Sequence, residues 1–284
     1  MFRRQKTGST ICASCGKLVG VSDETCWNCG RRNPGMWGYG RLLRRLGTDF
    51  GFASLVIAGC AALYVATLLS DPGGVHSSGM MSILSPSIRS LFLFGASGSV
   101  PVFGFGRWWT VLSAGWLHGS LLHILFNMLW VRQLAPDTAE LYGGPRMTII
   151  YTVASACGFF LSSAAGFFLY WLPIPFLHGA QFTIGASAAI FGLLGALVYY
   201  GRRTGSSHVG TQAKTYAVIL FIFGFVMPGV DNYAHLGGFF GGYAMARWLD
   251  PLQPEKIDHV ILALACLICT ALAILASLLS GIAL

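Results

Sequence analysis

The chain has 284 residues, of which 55% are hydrophobic and only 10% are charged, and its mean hydropathy is +0.65. Soluble domains carry about 25% charged residues, so this composition excludes an ordinary soluble protein and predicts a polytopic membrane protein in a lipid bilayer. The net charge of +8 does not indicate nucleic-acid binding, because most basic residues flank apolar segments. No nucleic-acid partner is expected.

Four cysteines in the polar N-terminus form two CxxC pairs, CASC and CWNC, at Cys12, Cys15, Cys26 and Cys29. Ten residues separate the pairs. This spacing is typical of a small zinc ribbon with four thiolate ligands. A segment this short cannot bury enough apolar surface to fold alone, so bound zinc would supply the folding free energy. Two disulfides are the alternative, and they require an oxidising compartment. We predict a structural Zn²⁺ in a ribbon over residues 1–31.

A basic linker over residues 32–49 follows the ribbon and carries Arg41, Arg44 and Arg45. The linker is either a juxtamembrane segment at an anionic membrane surface or a solvated spacer. Its composition does not separate the two interpretations.

Seven apolar segments follow the linker. The 55 residues between Arg146 and Arg202 carry no formal charge, which is too long for one helix, and Pro173 with Pro175 divides them into two spans. The predicted spans are residues 50–70, 108–131, 147–172, 183–201, 215–230, 232–246 and 260–284. The sequence therefore predicts an all-α membrane protein with a six-helix core over 50–250 and a seventh helix within 251–284.

The basic residues predict the orientation of these spans. With a cytoplasmic N-terminus, sixteen of the eighteen Lys and Arg residues fall on the inner side, and only Arg89 and Arg107 fall outside. This bias agrees with the positive-inside rule. It also places the four N-terminal cysteines in a reducing compartment, which favours zinc over disulfides.

Polar residues on three spans are predicted to share one depth. Spans two, four and six run in the same direction, and Ser187 and His235 each lie about four residues into their spans, roughly 6 Å below the outer surface. A serine hydroxyl becomes a nucleophile when a base removes its proton, and His235 is suited to that role. His123 and Asn127 lie one turn apart on span two and could donate to an oxyanion together with the Ser187 N–H.

His118 and the small residues of spans four and six are the other notable positions of these spans. His118 lies five residues before His123, so it cannot face the same point if the helix is regular there. Small residues share one face of span six with His235, at Gly238 and Gly242, and span four has a similar ladder at Ala188, Gly192 and Ala196. Such ladders allow close helix packing, whether or not a site is present.

Three segments together carry a family resemblance. HGSLLHILFNM from His118, GASAAIFG from Gly185 and AHLGGFFGG from Ala234 stand in this order on spans two, four and six. They resemble the rhomboid family of intramembrane serine proteases over residues 50–250. The zinc ribbon and the seventh span are additions to that pattern.

The resemblance implies a catalytic dyad of Ser187 and His235, in a cavity that opens to the outside face of the plasma or inner membrane. It implies that His123 and Asn127 assist the oxyanion, that Phe191 packs on the base, and that catalysis uses no metal. The implied substrates are transmembrane helices cut near their outer end. The chain departs from the usual family pattern at Ala188, where relatives have glycine, and at Thr110, where many relatives have arginine after the Trp pair.

Two other functions compete with an active protease. One is a catalytically weak rhomboid-like protein that binds membrane helices for quality control, although Ser187 and His235 are both present. The other is a metal transporter that uses the histidines, although its spans lack an intramembrane carboxylate. A cytoplasmic partner of the ribbon is a further prediction.

Overall fold

The computed structural model describes residues 4–40, 47–174, 177–227 and 229–282, apart from the side chains of Met80 and Ile282. Within these residues, a two-stranded antiparallel sheet pairs β1 with β2, and eight α-helices of seven or more residues follow. The elements are β1 (Ser9–Ile11), β2 (Leu18–Gly20), α1 (Phe52–Ser70), α2 (Ile88–Phe94), α3 (Leu121–Tyr142), α4 (Gly144–Phe168), α5 (Ser187–Thr204), α6 (Ser207–Val226), α7 (Asn232–Trp248) and α8 (Ile257–Ile282). Arg41, Arg44 and Arg45 of the predicted linker lie outside the described residues.

Four of these helices, α1, α4, α6 and α8, are long and apolar enough to cross a membrane. The other three long helices, α3, α5 and α7, carry Ser187, His235, His123 and Asn127. They contain charged residues in their C-terminal halves, such as Arg132 in α3, Arg203 in α5 and Arg247 in α7. The protein is a multi-pass membrane protein in which the less apolar helices bear the polar site.

The start of the second long helix differs from the prediction of 108–131. A single turn at Thr110–Ser113 and a 3-10 turn at Ala114–Trp116 come first, and α3 begins only at Leu121. Leu117 is extended and Ser120 caps the helix by accepting a hydrogen bond from the His123 N–H, so the chain cannot be one regular helix here. α3 then continues eleven residues past Val131.

The helix that carries Ser187 also begins later than predicted. Gly185 has φ +119°, a conformation that does not occur in a regular helix. Ser187 is therefore the first residue of α5 and does not lie four residues inside it. His235 is the fourth residue of α7, as predicted. The two residues therefore approach from the starts of two neighbouring helices.

Small residues bring α5 and α7 into close contact. A Cβ added at Gly242 would lie 2.0 Å from the Gly192 carbonyl oxygen, and one at Gly238 would lie 2.1 Å from that of Ala188. Only glycine at these positions permits such a backbone separation. The small-residue ladders predicted from the sequence thus form the α5–α7 interface.

Candidate active site

Ser187 is the partly buried first residue of α5, and the segment before it is fixed by backbone hydrogen bonds. Thr183 exchanges two of them with Ser97, at 2.8 and 3.1 Å, and the Gly185 N–H donates to the Ala114 carbonyl at 3.0 Å. The N–H groups of the first helical turn have no partner inside the helix, so they point toward the space above Ser187. This arrangement suits stabilisation of negative charge near the hydroxyl.

The hydroxyl of Ser187 lies within hydrogen-bonding distance of His235. The distance from Ser187 Oγ to His235 Nε2 is 2.9 Å, and the His235 side chain is buried. Phe191, one turn after Ser187, stacks on the imidazole with ring centroids 4.2 Å apart and an interplanar angle of 16°. Stacking and the hydrogen bond together fix the ring in an orientation from which Nε2 can accept the serine proton.

No acidic side chain orients His235 within the described part of the chain, because its Nδ1 is buried without a hydrogen-bond partner. Asp231, one turn earlier, caps α7 instead: its Oδ1 accepts from the Ala234 N–H at 3.0 Å. The geometry is that of a two-residue serine and histidine pair.

His123 and Asn127 face the segment just before Ser187. A Cβ added at Gly185 would lie 2.6 Å from His123 Nε2 and 3.8 Å from Asn127 Nδ2. The Gly119 N–H donates to His123 Nδ1 at 3.3 Å, so in the neutral ring the proton sits on Nε2, which becomes a donor toward this space. Asn127 Nδ2 donates one hydrogen bond to the His123 carbonyl at 2.9 Å and keeps a second N–H available.

His118 does meet His123, contrary to the expectation for a regular helix. The two rings contact edge to face with centroids 5.1 Å apart, and the His118 side chain is fully buried. The contact is possible because His118 lies in the non-helical segment between Trp116 and the α3 cap at Ser120. His118 therefore packs beside the donor residue and does not face away from it.

The methyl group of Ala188 is accommodated by small residues of two other helices. A Cβ added at Gly158 of α4 would lie 2.8 Å from the Ala188 Cβ, and Gly238 of α7 packs against the Ala188 backbone. Ala188 is fully buried beside Ala114, Phe159 and Ala234. The alanine therefore fits without displacing Ser187.

A second cluster of reactive side chains lies in the N-terminal segment. The sulfur atoms of Cys12, Cys15, Cys26 and Cys29 all lie within 4.8 Å of one another and could hold a metal ion. The Cys12–Cys29 and Cys15–Cys26 sulfur separations are 3.8 and 3.6 Å. Sulfur atoms about 2.3 Å from a tetrahedral ion are separated by about 3.8 Å, so this cluster fits such an ion.

Sequence reasoning missed several backbone contacts of the site. The Ala114 carbonyl that holds Gly185 leaves no signal in the sequence, because any residue could supply it. The sequence did not distinguish Gly158 from the many other small residues of its long uncharged segment. Its role follows from the packing of α4 against Ala188.

Residues 105–251 match the Rhomboid domain family, and the chain belongs to the rhomboid family. The chain is similar to "Rhomboid protease GluP" of Bacillus subtilis, with 31% identity over 194 residues that cover 67% of this chain and 36% of the relative. The predicted fold class, a rhomboid-like helical membrane protein with an N-terminal cysteine cluster, is confirmed.

Eukaryotic relatives match a somewhat smaller share of the chain. "RHOMBOID-like protein 7" of Arabidopsis thaliana is 32% identical over 168 residues, which cover 57% of this chain and 50% of the relative. "Rhomboid-like protease 3" of Toxoplasma gondii is 28% identical over 167 residues, which cover 56% of this chain and 58% of the relative. The chain thus spans between about a third and three fifths of the length of these relatives.

Proposed function

We propose that the protein is an intramembrane serine endopeptidase that cuts transmembrane-helix substrates near their outer end. The observation that carries the proposal is the 2.9 Å contact between Ser187 Oγ and His235 Nε2, at the start of two closely packed helices. Family membership and the name of the Bacillus relative, a protease, support it.

The proposed reaction is acyl transfer through Ser187. His235 Nε2 removes the hydroxyl proton as Oγ attacks the scissile carbonyl carbon, and the oxyanion accepts hydrogen bonds from His123 Nε2–H, Asn127 Nδ2–H and the Ser187 backbone N–H. The C–N bond then breaks as the amine takes the proton from His235. A water molecule, deprotonated by His235, hydrolyses the acyl-enzyme and restores the serine.

The orientation and the domain limits belong to the same proposal. The positive-inside bias supports a cytoplasmic N-terminus in a plasma or inner membrane, with the site open to the outer face. The proposed units are the ribbon over 1–31, the linker over 32–49, the catalytic core over 50–250 and the last helix within 251–284.

Covalent labelling tests the nucleophile. Detergent-solubilised protein is expected to react with a fluorescent fluorophosphonate, and Ser187→Ala is expected to lose this labelling because it removes the attacking oxygen. Ser155→Ala is the matched control, because it removes another buried hydroxyl, on α4. Absence of labelling in folded wild-type protein would favour a rhomboid-like protein that only binds membrane helices.

We propose zinc as the ion of the cysteine cluster, because four thiolates at tetrahedral spacing are a preferred structural zinc site. Gly16 and Gly30 follow the second cysteine of each pair and have φ of +72° and +69°. Their N–H groups donate to the backbone carbonyls of Cys12 and Cys26, which closes each turn.

Metal analysis of purified protein is expected to give one zinc per chain. Cys26→Ser is expected to lower that content, while Cys157→Ser, a matched change on α4, leaves it unchanged. Metal-free protein from zinc-containing medium would contradict the assignment.

A further inference from the structure

The N-terminal ribbon contacts the helical core at the end opposite Ser187. Arg31 of the ribbon pairs with Glu255, which lies in the connection between α7 and α8. His235 is thirteen residues before the end of α7, so this contact lies about 20 Å along the helix from the candidate active site.

Glu255 is buried beside Arg31, Ser14 and Arg146. Its side chain and that of Arg31 are nearly inaccessible to solvent, and the Glu255 N–H donates to Ser14 Oγ at 3.2 Å. Its carboxylate lies at the start of α4, where a Cβ on Gly143 would be 2.6 Å from Oε1. Burial raises the pKa of Glu255, and Arg31 opposes this shift by favouring the charged form. Loss of Arg31 would remove the direct ion-pair partner of the buried carboxylate and leave Arg146 as the other nearby cation.

The two segments that carry the CxxC pairs, residues 12–16 and 26–31, are called the cysteine turns. Both ribbon residues that contact Glu255 belong to them. Ser14 stands between Cys12 and Cys15, and its N–H lies 3.4 Å from Cys12 Sγ. Arg31 follows Cys29 by two residues, and its carbonyl accepts from the Cys26 N–H at 2.8 Å. The positions of Ser14 and Arg31 are therefore set by the same turns that would surround the ion.

In the part of the ribbon that the structure describes, the apolar core is small. Its own buried apolar cluster consists of Cys12, Val19 and Cys26, which is too small to fold without an ion. A cavity of about 710 Å³ separates part of the ribbon, including Cys15 and Asn28, from Tyr142 of the core. Among the described residues, the polar contacts of Arg31 and Ser14 with Glu255 lie near this cavity and join the ribbon to the core.

We propose that the ribbon is a metal-dependent clasp: the ion orders the two cysteine turns, and the ordered turns place Arg31 and Ser14 on Glu255, which fixes the α7–α8 connection. Removal of the ion disorders the turns, releases Arg31 and frees residues 249–256. This inference goes beyond the proposed protease activity and does not depend on Ser187.

Hydrogen exchange measured by mass spectrometry on the full chain in detergent tests the clasp. Treatment with EDTA is expected to speed amide exchange in residues 249–256 by about tenfold or more, because local opening replaces the docked state. Restoring Zn²⁺ is expected to reverse the change. Residues 71–87, on the loop after α1, serve as an internal reference that does not change.

Two variants separate docking from metal binding. Arg31→Gln is expected to keep the bound zinc and the exchange rates of the ribbon, but to speed exchange in residues 249–256. Arg32→Gln, which removes the same charge from an exposed neighbouring position, is expected to behave like wild type. Ser14→Ala removes the second contact without a change of charge. It is expected to speed exchange in residues 249–256 by a smaller factor. This variant replaces Arg31→Gln in the test if Arg31→Gln does not fold.

The clasp would be refuted if EDTA removed the zinc and left exchange in residues 249–256 unchanged. Equal exchange in Arg31→Gln and Arg32→Gln would also refute it, as would unchanged exchange in Ser14→Ala if Arg31→Gln could not be purified. None of these readouts requires a substrate, so failure of the clasp is distinguishable from failure of the proposed protease.

Discussion

Replacement of His235 by Gln is expected to slow the reaction of Ser187 with a fluorophosphonate by roughly 10²- to 10⁴-fold, the usual contribution of a general base. Glutamine can still hydrogen-bond to Ser187 Oγ, but it cannot take up the proton at neutral pH. The measurement is the rate at which fluorescent label accumulates on the protein. The reduction follows from the 2.9 Å contact between Oγ and Nε2.

His208→Gln is the matched control, because His208 is exposed near the start of α6. It is expected to react at the wild-type rate. If His235→Gln also reacted at the wild-type rate, His235 would not be the base, and the proposed dyad would be wrong. Equal thermal stability of the two variants would exclude unfolding as the cause of a reduced rate.

Gly242→Val is expected to destabilise the helical core by about 3 kcal/mol or more, because overpacking a tight helix contact forces the backbones apart. A Cβ at Gly242 would lie 2.0 Å from the Gly192 carbonyl oxygen and 2.4 Å from its Cα, so no rotamer avoids the clash. Thermal unfolding in detergent measures the loss. Separation of α5 from α7 would also move Ser187 away from His235, so labelling should fall as well.

Gly73→Ala provides the comparison for this change. No atom lies within 4 Å of a Cβ added at Gly73, and its φ is not in the left-handed region. Its melting temperature is expected to stay within a degree or two of wild type. A melting temperature for Gly242→Val equal to that of Gly73→Ala would mean that the α5–α7 contact is looser than described.

Residue types and spacings were sufficient to nominate the candidate residues of the site. Ser187, His235, His123 and Asn127 could be chosen because polar groups in apolar segments require a partner or a function. The small-residue pattern at Gly238 and Gly242 predicted close packing of the two helices. Their catalytic roles stay predictions until the labelling experiments are done.

The boundaries of the site helices could not be predicted in the same way. Hydropathy placed span two at residues 108–131, because apolar side chains in turns and in helices contribute equally to an apolar run. The Ser120 cap and the extended Leu117 break this run, and they let His118 turn toward His123. The start of α5 was also predicted too early. The positive φ of Gly185, which keeps the helix from starting before it, is a property of the folded backbone that hydropathy does not show.

Composition, CxxC spacing and small-residue ladders are local in the chain, so residue types alone were enough to predict the membrane class, the cysteine cluster and the candidate residues for the proposed acyl transfer. Three contacts could be seen only in the folded protein: Ala188 against Gly158, the Ala114 carbonyl on the Gly185 N–H, and Arg31 on Glu255. Arg31 and Glu255 are 224 positions apart, and their pairing depends on how the ribbon lies on the helical core. Contacts of this kind arise from packing between distant segments, and no local pattern encodes them.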